Sequence, residues 1–158
     1  VGDLLPPPSL ALAHASFAEG FLIAETVAGQ PSPPIDYAGV PRVTFSTPEV
    51  ASVGLTEAQA KEQGQEVVVN KFPFNATAKG LIHGQGGMVK VVAAKDGPVL
   101  GIHLVGARVT DLVAEAMLIY NWEALPVDVA QFIPPPPTLS EAIGEAHMTL
   151  AGRRFHQL

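Results

Sequence analysis

The spacing of apolar side chains divides this chain into segments of different period. In "LAHASFAEGFLIAETVAG" (residues 12–29), Phe17, Phe21, Ala24 and Val27 recur at helical intervals and Gly29 can end the run, which predicts a helix over residues 13–28. "QPSPPIDYAGVP" (residues 30–41) has no period, and its prolines mark a connector and a candidate boundary. "RVTFS" reads as a strand, and "LTEAQAKEQG" as a short helix with Thr56 as N-cap and Gly64 as stop. Further on, β-branched residues take over. "EVVVNKFPF" and "MVKVVAAKDGPVLGIHLVG" predict strands, with Asp96-Gly97 as the turn of an antiparallel pair over residues 88–105. Pro98 puts the start of the second strand at or beyond itself.

After Gly106 the helical period returns. Val109, Leu112, Val113, Ala116, Ile119 and Tyr120 share one stripe, which reads as plain core or, more sharply, as a subunit face. "PVDVAQFI" predicts a short helix with Pro126 in its first turn, and a last helix begins after Thr138 and runs to about Ala151, where Gly152 can end it. There is no repeat with a period of about 20 to 50 residues. Strands and helices segregate along the chain, which favours an α+β fold: an antiparallel sheet flanked by helices.

Composition narrows the function. The chain has 158 residues, 47% hydrophobic and 15% charged, as suits one globular domain with an appendage. A net charge of −6 with only 9 scattered Lys and Arg argues against a nucleic-acid partner. The absence of cysteine excludes a disulfide framework, a thiol nucleophile, a cysteine-zinc site and a dithiol redox pair within this chain. No apolar run reaches the length of a membrane span and the start lacks a secretion signal, so a cytoplasmic protein is the default expectation. The opening "VGDLL" reads as the end of a strand, and Val1 is not Met; a fragment or processed product is expected.

Candidate chemistry is sparse. Thr138-Leu139-Ser140-Glu141 fits a capping box, Thr138 accepting from the Glu141 amide and Glu141 reaching back to the Thr138 amide, a device worth about 1 kcal/mol. The alternative is that Glu141 orients a neighbouring base, because a carboxylate holding a His raises its basicity and fixes its tautomer. Yet residues 134–137 are all Pro, so no local His is offered. His14 sits at the start of the first helix, where free amides and the helix dipole can receive an anion or electron-rich ring; otherwise it is a surface or capping residue. His83, His103, His147 and His156 fall at no metal-site spacing, and no metal is assigned. "HGQGG" (residues 83–87) leads into a strand, not a helix, which excludes a phosphate cradle and favours a hairpin connection. Asn75-Ala76-Thr77 matches a glycosylation acceptor by chance, since no export signal accompanies it.

Taken in order, "GDLL…LAHASFAEG", "PRVTFSTPEVASVGLTEAQA", "GPVLGIHLVGARVTDLVAEAMLIYNWEA" and "PTLSEAIGEAH" resemble the C-terminal third of the dihydrolipoamide dehydrogenases. These are FAD-dependent pyridine nucleotide-disulfide oxidoreductases of the 2-oxoacid dehydrogenase complexes. "PEVASVGLTE" is shared with mercuric and glutathione reductases, whereas "YNWEA" and "GEAHMTLAG" tilt toward the lipoamide branch.

The resemblance implies that residues 1–39 are the tail of the flavin-binding region and residues 40–158 the interface domain of a homodimer. It implies that Asp3 meets the flavin ribityl chain, and that the backbone of Ala11, Leu12, Ala13 and His14 faces the flavin pyrimidine edge. NAD would be bound by a module outside this chain, as would the FAD phosphates and the redox cysteines. The family also carries His-x-His-Pro-Thr-x-x-Glu before the last helix, and its second His takes the dithiol proton in the partner's site. Here the two His positions are Pro134 and Pro136, while Pro137, Thr138 and Glu141 fit. The segment between Asp3 and His14 is also longer than usual, with Pro6-Pro7-Pro8 in it. The implied expectation is a subunit-pairing piece whose orienting acid, Glu141, lacks its base, entered by a stiff, extended proline run, and inactive when isolated. The alternatives are a non-catalytic scaffold or the interface domain of a mercuric or glutathione reductase relative.

Overall fold

The first helix, α1 (Ala13–Val27), belongs to a unit of its own. The computed structural model describes residues 1–156 and divides the chain into Val1–Val40 and a second unit from Pro41 onward. In the first unit, "GDL" is a 3-10 turn and not the end of a strand: Gly2 has φ +71, a left-handed conformation that breaks extended backbone. The apolar stripe of α1 faces outward, with Phe17, Phe21 and Val27 exposed. Its buried face instead carries Ala15 and a carboxylate, Glu19.

Glu19 organises that unit. Its Oε2 accepts from the Gly2 amide at 2.5 Å, and its Oε1 accepts from the Ser9 hydroxyl at 2.6 Å and the Tyr37 hydroxyl at 2.9 Å. The Ser9 hydroxyl, followed by the Gly2 amide, holds this carboxyl below the usual range. One side chain thereby ties the opening turn, the proline-rich segment and the 3-10 turn Tyr37–Gly39 to α1.

The second unit runs β1 (Arg42–Thr44), β2 (Glu49–Gly54), α2 (Glu57–Glu62), β3 (Val67–Pro73), α3 (Ala78–His83), β4 (Gly87–Ala94), β5 (Val99–Gly106), α4 (Val109–Asn121), α5 (Pro126–Val129) and α6 (Ser140–Leu150). The five strands form one antiparallel sheet in the order β1-β2-β5-β4-β3. The β4–β5 turn lies where Asp96-Gly97 predicts it, with Asp96 at φ +57. Thr56 caps α2 through a full capping box with Gln59.

Val53, Ile102 and Val91 stand in register across β2, β5 and β4, all fully buried. Against them α4 lays Val109, Val113, Ala116 and Ile119, and α6 lays Ala142, Ile143 and Ala146. Each large side chain of this kind stabilises the fold by about 1.5–3 kcal/mol. The α4 stripe is therefore core.

Two elements have no strong sequence signal. β2 is built of small and short residues, and α3 contains Gly80, a weak helix former. Gly80 is needed for space: a β-carbon there would collide with the Phe74 carbonyl. The expected hairpin at "HGQGG" is corrected accordingly, since Gly84, at φ +69, caps the C-terminus of α3 and the segment joins a helix to β4.

Candidate functional site

The segment between α5 and α6 holds the residues on which the sequence places most weight. Its backbone is not extended throughout, as the proline run predicts; residues 136–139 bend into α6, and the Pro136–Pro137 peptide is cis. Pro134 rests on α6 at Gly144, where a β-carbon would come 3.4 Å from the proline Cγ.

Only half of the expected capping box forms. The Thr138 amide donates to Glu141 Oε2 at 2.9 Å, but the buried Thr138 Oγ1 has no partner among the described residues. The residue next to the helix is Leu139, already helical at φ −75 and ψ −22. A cap needs extended backbone at the position beside the first turn, and Thr138 stands one residue too early to reach back. Among the described residues Glu141 meets this amide and no imidazole. His83, Lys79 and Arg108 share an open pocket of about 490 Å³ with Thr138 and Ser140, without a His83 contact to Glu141.

Asp3 lies in the opening 3-10 turn, and residues 11–14 lead into the first turn of α1. Asp3 is exposed in the opening turn, and Gly2 packs against Ser16 in the first turn of α1. Ser16 makes the first helical bond, to the Leu12 carbonyl at 3.0 Å, so the amides of Ala13, His14 and Ala15 precede the intrahelical ladder. Ala11, Ala13 and His14 are exposed and Leu12 half-buried. The sequence contains no Gly-x-Gly-x-x-Gly turn to hold the phosphates of a dinucleotide.

The other histidines have separate environments. His103 Nε2 lies 3.0 Å from the Leu55 carbonyl, and burial pushes its pKa down. His147 is fully buried in α6, and His156 Nδ1 sits 2.6 Å from Glu145 Oε1. Among the described residues no three His, Asp or Glu side chains are grouped to hold a metal ion, and no helix is long and apolar enough to cross a membrane. Sequence reasoning passes over Glu19, Glu115 and Glu145. Glu19 lies on the face of α1 opposite its apolar stripe, where the hydrophobic period carries no signal.

Residues 40–147 match the family described as the pyridine nucleotide-disulphide oxidoreductase dimerisation domain, and the chain belongs to it. Among curated proteins it is 45% identical to a dihydrolipoyl dehydrogenase of Bacillus subtilis over 99% of this chain and 33% of that protein. It is 46% identical to one of Mycobacterium bovis over 93% of this chain and 32% of that protein. The fold is that of LpdA from Mycobacterium tuberculosis, with a TM-score of 0.83 at 23% identity, covering 94% of this chain and 32% of that one. The flavoprotein disulfide reductase RclA from Escherichia coli gives 0.79 at 20% identity, covering 87% and 32%. The chain thus spans about a third of the length of these relatives, and it matches the dimerisation portion of dihydrolipoyl dehydrogenase and related disulfide reductases.

Proposed function

We propose that this chain is the subunit-pairing part of a homodimeric, cytoplasmic flavoenzyme that oxidises dihydrolipoyl groups with NAD in a 2-oxoacid dehydrogenase complex. In isolation it pairs subunits without catalysing electron transfer. The observation that carries this reading is 45% identity to a dihydrolipoyl dehydrogenase along essentially the whole chain. Exposed apolar side chains support it: Trp122 is 76%, Phe132 70% and Ile133 93% accessible, beside a core that is already closed.

In the complete enzyme, residues 1–39 complete the flavin-binding region and residues 40–158 form the interface domain. Asp3 and the backbone of residues 11–14 meet the flavin end of FAD, while NAD is held elsewhere. Glu141 keeps the place of an orienting acid, with Pro136 where its imidazole partner would stand. Light scattering of the 158-residue chain at micromolar concentration tests the pairing, with a dimer expected. Its visible spectrum should be colourless, and dihydrolipoamide should not reduce NAD. A monomer would overturn the pairing; a tightly bound yellow flavin with turnover would overturn the inactivity.

A further inference from the structure

We propose that the open face of the sheet, opposite α4 and α6, docks an acidic amphipathic helix of a partner protein, its apolar stripe on Val50, Val105 and Met88 and its carboxylates on the cationic line beside them. Strand pairing sets Arg42, Ser52, His103, Lys90 and Lys71 in one line across β1, β2, β5, β4 and β3. The next line on the same face is Thr44, Val50, Val105, Met88 and Pro73. Side chains alternate between the two faces of a strand, and the positions in between, Ala51, Leu104, Val89 and Phe72, are the buried ones that share a core with α4 and α6. No Asp or Glu stands in either line. Beside the first line, Lys90 meets Glu57 of α2 at 2.8 Å and His103 Nε2 meets the Leu55 carbonyl at 3.0 Å. The second line stays open to water, with Val50 44% and Met88 39% accessible.

The chain as a whole carries a net charge of −6, yet this face is basic. Arg42 makes no ion pair among the described residues, and Lys71 is exposed at the opposite edge. Glu57 serves both Lys61 and Lys90, so that triad keeps one positive charge. A solvated sheet face is normally polar, and an apolar line facing water calls for a cover. The two lines lie about 7 Å apart along the strands and run about 19 Å across the sheet. A helix lying across the strands, its apolar stripe bordered by Asp or Glu, matches both spacings, and about 13 residues of it span that width. A nucleic-acid strand would meet too few cations and leave the apolar line bare. The apolar side chains offered for subunit pairing, Trp122, Phe132 and Ile133, follow α4 and α5 in the helix layer, so pairing there leaves the open face uncovered. The inference uses no flavin, and it does not rest on the reading as a dihydrolipoyl-oxidising enzyme.

The test uses the 158-residue chain, labelled with ¹⁵N, with its assembly state followed by light scattering. The probe is a capped helical peptide of about 13 residues with Leu on one stripe and Glu beside it; a Lys-for-Glu counterpart and an oligothymidylate of similar length are the controls. Saturable shifts of the Val50, Met88 and Val105 amides are expected, with a dissociation constant on the order of 100 μM that weakens as salt is raised. The Lys peptide and the oligothymidylate should not bind. Arg42→Glu combined with Lys71→Glu, at the two ends of the cationic line, should weaken the Glu peptide by about tenfold or more. Met88→Gln should weaken it several-fold by loss of apolar contact. No saturable shift, shifts at Trp122 and Ile133 instead, equal binding of the Lys peptide, tighter binding of the oligothymidylate, or loss of binding wherever the chain is dimeric would each overturn the site. Unchanged affinity in the charge-reversed variant would do the same, and if that variant does not fold, unchanged affinity in Met88→Gln decides against it.

Discussion

His147 donates its Nδ1 proton to the carbonyl of Ile143, 2.7 Å away and one turn earlier in α6, while its buried Nε2 meets no partner among the described residues. The carbonyl can only accept, so Nδ1 carries a proton, and burial keeps the ring neutral at neutral pH. Burial moves its pKa from 6.5 down to about 4. Between those values the unfolded chain binds a proton that the folded chain refuses. Stability from this group is therefore complete above pH 6.5 and is lost as pH falls toward 4, amounting to about 3 kcal/mol in total. Urea midpoints should fall between pH 7 and pH 5, and they should fall less in His147→Phe. His103, also lowered by burial, leaves a residual slope of the same sign. Glu57 acts only at lower pH: hydrogen bonds and ion pairs with Lys61 and Lys90 hold it at about 2, so its contribution fades below pH 4.5. An equal slope in His147→Phe would assign the acid sensitivity to other groups.

Gly101 is fixed by space. It sits inside β5 where a β-carbon would collide with the Leu55 carbonyl, the same oxygen that faces His103 Nε2. Gly101→Ala should lower the stability of the sheet unit by about 1–3 kcal/mol, read from urea unfolding. Gly20, inside α1, has nothing near an added β-carbon. Gly20→Ala should therefore be neutral or stabilising by up to about 1 kcal/mol through helix propensity.

The tail after α6 is held by a carboxylate of that helix. Glu145 is buried, and its two oxygens take the His156 ring at 2.6 Å and the His156 amide at 3.3 Å. Removing the imidazole leaves a buried carboxylate with one weak partner, which typically costs about 1–3 kcal/mol. His156→Ala should accordingly destabilise the fold, and the double variant Glu145→Gln with His156→Ala should recover part of the loss. If the double variant loses the sum of both single effects, the two residues act independently.

An element of this fold is legible in the sequence where its signal is local. Helices α1, α4 and α6 and the β4–β5 turn follow from period and turn residues that sit together in sequence. Strand β2 escapes the pattern because "EVASVG" carries few β-branched residues; it exists through pairing with β1 and with β5, whose partners lie about fifty positions further along the chain. Helix α3 was missed because Gly80 reads as a breaker, and its reason lies in the Phe74 carbonyl. The capping residues at the start of α6 were recognised by type, yet Thr138 missed its role because Leu139 had already turned helical. The implied flavin contacts and the orienting role of Glu141 rest on resemblance and not on any local pattern of the chain.

Glu141 keeps one oxygen on the Thr138 amide and leaves Oε1 without a partner among the described residues. A single imidazole at position 136 would have that oxygen as its natural anchor, two residues before the amide that already fixes the carboxylate. In a polypeptide that joins this segment to flavin- and nicotinamide-binding modules, Pro136→His should raise turnover of dihydrolipoamide by about 100-fold or more, the usual worth of a positioned general base. The gain should come with a new ionisation near neutral pH in the rate profile, which simple repair of the loop's shape would not produce. Pro134→His, further from the carboxylate along the chain, should give neither effect. Equal turnover in the Pro136→His and unsubstituted proteins would mean that another group supplies the base, or that the proline run is out of register with the family's histidines.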